Sequence, residues 1–170
     1  MITEREEKRM KVKGLKKINK IINHFTEKFG VSAFFDPKNV FQAYTSEKVV
    51  SYTIFADEEW LRCFAEEANN RYDGIEADPF LWGLMHEIGH CMTDIWDEED
   101  EAFFKRANEN LQKFETVDEI NEWHHIIPDE YFATKWAADI MRKHPKMMAK
   151  FCKKLSKAIM EFCEKNEITP

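Results

Sequence analysis

Between Leu15 and Phe29 the apolar positions Leu15, Ile18, Ile22, Phe25 and Phe29 recur at alternating steps of three and four. That spacing lines them up on one stripe of a helix, predicted to run from about residue 4 to 29. Gly30 is a natural stop, because glycine takes the left-handed conformation that closes a helix at little cost. The period then changes. Three short runs, Val31 to Phe35, Val40 to Tyr44 and Val49 to Phe55, are rich in β-branched and aromatic residues. Asp36-Pro37-Lys38-Asn39 and Thr45-Ser46-Glu47-Lys48 separate them, a pattern that predicts a small antiparallel meander of three strands.

Helical spacing returns after the third run. Asp57 can cap a helix with Trp60, Leu61, Phe64 and Ala68 on one face, and Asp73-Gly74 marks a turn. Asp78-Pro79 pairs an N-cap with a proline at the first helical position, opening a helix expected to reach about Ile95. Thr116 and Glu119 form a capping-box pattern leading toward His125, and Pro128 breaks the helical pattern there. Asp129 can cap a helix from Glu130 to about Lys143. A last helix, about 145 to 165, carries Met148, Phe151, Leu155, Ile159 and Phe162 on one side. Strands grouped together and then helices predict an α+β fold, a small three-stranded sheet packed against several helices. At 170 residues the chain fits a single domain, 1–170, whose first and last helices flank the rest.

Composition narrows the function classes. The chain is 44% hydrophobic and 14% aromatic, enough to build a core. Formal net charge is −7, with Lys gathered at the two ends and acidic residues between Asp57 and Glu130, a balance that gives little support to nucleic-acid binding. The acidic run Asp97 to Glu101 suits the first turn of a helix, where it complements the dipole. Met1 to Met10 is too charged for the core of a secretory signal, and no apolar run approaches a membrane span. Cys63, Cys91, Cys152 and Cys163 are dispersed through helix-like stretches, which suggests reduced thiols, mostly core residues, rather than a disulfide framework or a cysteine-based zinc ribbon. These features predict a cytoplasmic protein with no membrane contact.

The chemistry concentrates in His86-Glu87-Ile88-Gly89-His90, an H-E-x-x-H sequence inside the helix that opens at Pro79. Residues four apart on a helix share a face, so both imidazoles can reach one zinc ion while Glu87 stands beside them as the catalytic base. Zinc lowers the pKa of a bound water toward ~7, and a neighbouring carboxylate can take its proton. A purely structural role would bury two histidines and a glutamate together, at a cost of several kcal/mol without partners. Gly89 in mid-helix costs about 1 kcal/mol relative to alanine and points to another element packed close by.

Two histidines leave a tetrahedral zinc short of a third protein ligand. Trp96 stands where the extended metzincin pattern would have a histidine. Asp94 shares the motif face but lies a further turn along, which suits a partner for a ligand histidine better than a ligand. Peptide deformylases take a cysteine from an upstream loop, whereas Cys63 falls in a helix. Glu130, at the start of a later helix, is the better candidate. The stretch Glu130-Tyr131-Phe132-Ala133-Thr134-Lys135-Trp136-Ala137 resembles the E-x-x-A-x-x-F-A segment that follows H-E-x-x-H in metallopeptidases of the ImmA/IrrE type. That resemblance implies Glu130 as the third zinc ligand. It covers about Val31 to Met141 and departs from the family at Trp136, in place of phenylalanine, and at Arg142, where a proline often stands. The small Ala133 and Ala137 would let this helix approach the motif helix near Gly89. His124, His125 and Tyr131, with Tyr72, are candidates to stabilise an oxyanion, and either histidine is an alternative ligand.

The resemblance implies a minimal zincin fold and intracellular cleavage of a protein or peptide, such as a transcriptional repressor of a phage or mobile element. In related zincins an edge strand beside the metal helix receives the substrate, and Val49 to Phe55 is the expected edge. The alternatives are a helical interaction protein with a structural or degenerate zinc site, and a zinc hydrolase of a non-peptide amide.

Overall fold

The computed structural model describes residues 15–37, 41–54, 58–93, 116 and 128–166. The first helix, α1, spans Leu15–Thr26, continues as a short 3-10 turn, and ends at Gly30 with φ 70°. Its residues Ile18, Ile22 and Phe25 are buried, as the three-and-four spacing predicts. Strands follow at Ser32–Phe35 (β1), Phe41–Tyr44 (β2) and Val49–Tyr52 (β3). Helices α2 (Glu58–Arg71), α3 (Pro79–Thr93), α4 (Pro128–Lys143) and α5 (Pro145–Asn166) complete the described chain. The fold is α+β.

The sheet departs from the expected meander. Its order is β1-β3-β2, with β3 antiparallel to β2 but parallel to β1. The turn after β2, closed by Lys48 at φ 52°, makes a hairpin of β2 and β3. The Asp36-Pro37 segment makes no matching hairpin, for the Asp36 N–H still donates to Tyr52 O on β3 at 2.9 Å. The order matches burial: Val50, Ser51 and Tyr52 are all buried, whereas β1 and β2 are partly or fully exposed at every position but Ala33, so the most deeply packed strand takes the centre. The expected edge strand is therefore the central one, and the edge strand packed beside α3 is β2.

Asn23 of α1 reaches the outer side of β1, accepting from the Ala33 N–H at 2.9 Å and donating to its C=O at 2.8 Å. Tyr52 and Asn19 hydrogen-bond between β3 and α1. Helix α3 is the hub. Leu81, Trp82, Leu84, Met85 and Ile88 are all essentially inaccessible, and it packs against α4, α2 and the sheet. α5 closes the other side of α1 through Phe25 and Phe151, stacked at 4.0 Å. Among the described residues no helix is long and apolar enough to cross a membrane.

Candidate metal centre

Asp78 begins α3 as expected, its Oδ1 accepting from the Leu81 N–H at 3.0 Å. From that cap the helix runs through the motif, and both His86 and His90 are buried on the side facing α4. Gly89 is the reason α4 can come so near. A Cβ built there would stand 2.4 Å from the Ala133 carbonyl oxygen and 2.9 Å from its Cα, so only hydrogen fits. Ala133 and Ala137 are fully buried at this seam, which is the close approach the small residues predict.

The crossing puts Glu130 opposite the histidines. His86 Nε2 and His90 Nε2 are 3.0 Å apart, and Glu130 Oε2 lies 2.9 Å from the first and 3.5 Å from the second. Atoms about 2.0–2.1 Å from one tetrahedral ion lie roughly 3.3 Å from each other, so this triangle has the dimensions of a three-ligand face. Two imidazole nitrogens and a carboxylate oxygen are also a donor set suited to a divalent transition metal. His86, His90 and Glu130 thus form a group that could hold a metal ion. The rings stand nearly perpendicular, at 88° with centroids 4.6 Å apart, and Phe64 packs edge-on against His86 at 5.2 Å.

Glu87, one residue round the helix, faces the sheet. Burial raises its carboxyl above the usual range and Glu130 adds to the rise; His86, His90 and a hydrogen bond from the Ala43 N–H of β2 oppose it. His90 shows the converse balance. Burial pushes it down, but hydrogen bonds to Asp129 and Glu130 and the nearby Glu87 outweigh that and bring it up to about 10.

Two neighbours were not foreseen in these roles. Asp129, expected to cap α4, lies inside its first turn with Oδ1 3.0 Å from His90 Nδ1. Thr134, one turn further, sets Oγ1 3.1 Å from His86 Nδ1. No spacing rule marks either residue, since their partners sit on another helix. Tyr131 follows Glu130 but is 42% exposed, its ring against Phe132 at 5.4 Å. Tyr72 packs beside Trp82, and burial is the main reason its hydroxyl is raised. Asp94, His124, His125 and the acidic run 97–101 lie outside the described residues. No protein-family model matches the chain, and no curated protein or solved structure matches it either.

Proposed function

We propose that this protein is a zinc-dependent metallopeptidase of the ImmA/IrrE type, with His86, His90 and Glu130 as ligands and Glu87 as the base. The observation that carries the reading is the convergence of His86 Nε2, His90 Nε2 and Glu130 Oε2 within hydrogen-bonding distances of one another, with Glu87 on the adjoining side of the same helix. Three protein ligands leave a tetrahedral ion one open position, the arrangement of a catalytic rather than a structural site. His86, His90 and Glu130 would hold the ion, which would supply Lewis-acid chemistry for a carbonyl and a water.

The chain's own residues supply the rest. Glu87, its pKa raised by burial and its rotamer held by the Ala43 N–H, can accept a proton from the attacking water and pass it to the leaving amine. The hydrogen bond from the Ala43 N–H to Glu87 places β2 beside the site. A peptide laid along β2 as an added strand would bring its own backbone beside Glu87. A main-chain mode of this kind suits an extended segment of a protein, in line with a regulatory protein such as a mobile-element repressor as substrate.

The test is metal analysis combined with a turnover assay on peptides. Wild type should carry near-stoichiometric zinc, His86→Ala/His90→Ala should lose it, and Glu130→Ala should bind it more weakly. Glu87→Gln should retain zinc while kcat falls by about 10²-fold or more. Zinc retained by the double variant, or wild-type turnover in Glu87→Gln, would reject the reading.

A further inference from the structure

Each ligand histidine has a second ring nitrogen, and both of these nitrogens face α4. His90 Nδ1 meets the Asp129 carboxylate at 3.0 Å, and His86 Nδ1 meets the Thr134 hydroxyl at 3.1 Å. Thr134 is 3% exposed, so its hydroxyl is committed to partners inside the protein. A carboxylate can only accept, which makes His90 Nδ1 the donor. The Thr134 oxygen can accept from His86 in the same sense.

We propose that Asp129 and Thr134 are positioning residues of the metal centre. Together they hold both imidazoles in the Nδ1–H tautomer, so that the two Nε2 lone pairs are aimed at the ion. One helix then supplies the third ligand and both orienting groups: Asp129 and Glu130 sit side by side in the first turn, and Thr134 lies one turn above Glu130. The two supports are chemically unlike. Asp129 is charged and strengthens its histidine as a donor to metal, whereas Thr134 fixes orientation without adding charge. His90 is the more tightly held ligand of the pair. This inference rests on the proposed metal site and not on the nature of the substrate.

The experiment measures zinc affinity by competition with a chromophoric chelator, at one pH, for wild type, Asp129→Asn, Asp129→Ala, Thr134→Val and Thr134→Ser. Removal of an outer partner of a metal-bound histidine typically lowers affinity about 10–100-fold. Asp129→Ala should sit at the upper end of that range, Asp129→Asn should fall between it and wild type, and Thr134→Val should sit at the lower end. Thr134→Ser, which restores the hydroxyl, should return to within about 2-fold of wild type. Long-range 1H–15N spectra of zinc-loaded wild type should show both histidines protonated at Nδ1, a result that depends on no variant. An Nε2–H tautomer at either residue, or Asp129→Ala and Thr134→Val binding zinc as wild type does, overturns the proposal while leaving the metallopeptidase reading standing. A wild-type chain with no zinc affinity overturns both.

Discussion

His90 and Glu87 lie side by side on one helix, and each holds its proton more tightly than an ordinary side chain. For His90 the carboxylates of Asp129 and Glu130 outweigh burial and carry its pKa to about 10. Its ordinary value is ~6.5, so the metal-free folded state binds a proton between these limits that the unfolded chain does not. The stabilisation this gives is full below pH ~6.5 and is lost as pH rises through about 10. Metal requires the neutral ring, so zinc uptake near pH 7 should expel about one proton, and apparent affinity should climb roughly tenfold per pH unit up to about 10. Calorimetry in buffers of different ionisation enthalpy checks this: a binding heat independent of buffer would show that no proton leaves.

At the scale of elements, the seam between α3 and α4 decides whether the centre forms. Gly89→Ala would gain about 1 kcal/mol of helix propensity. It would also drive a methyl group into the Ala133 backbone, which no side-chain rotation relieves. Overpacking of this kind costs about 1–3 kcal/mol and must push α4, with Glu130, away from the histidines. Urea unfolding should show lower stability, and zinc titration a weaker site. Gly83→Ala is the control, because the nearest atoms its new methyl meets belong to the Phe41 ring, a side chain and not backbone, and zinc binding should persist. The seam was legible in the sequence because a mid-helix glycine and alanines one turn apart are local signals. So was the shared face of His86 and His90. The β1–β3 pairing was not, since parallel pairing of strands separated by a hairpin arm leaves no local mark. Asp129 read as a cap for the same reason: an acid in a helix's first turn is favoured by the dipole whatever it touches. Only the crossing of two helices reveals that it faces His90.

For the whole molecule, a metal held by His86, His90 and Glu130 would join two segments distant in the chain, so its removal should be felt globally. At zinc concentrations 100–1,000 times Kd, binding adds about 2.7–4.1 kcal/mol to stability. A chelator should then lower the melting temperature by about 5–15 °C, and His86→Ala/His90→Ala should melt at the same temperature with or without it. Asn23 acts on a comparable scale from the far side of the sheet. By taking both the N–H and the C=O of Ala33, its amide imitates one residue of a neighbouring strand and seals that margin. Among the described strands, β2 is the edge that Asn23 does not reach. If the proposed peptidase site is active, a second copy that docked on β2 by backbone pairing would lie beside Glu87 and compete with a peptide for that strand. Asn23→Ala would open the opposite margin. That variant should aggregate more readily by light scattering while losing no zinc, and unchanged scattering would show that α1 seals the margin without it.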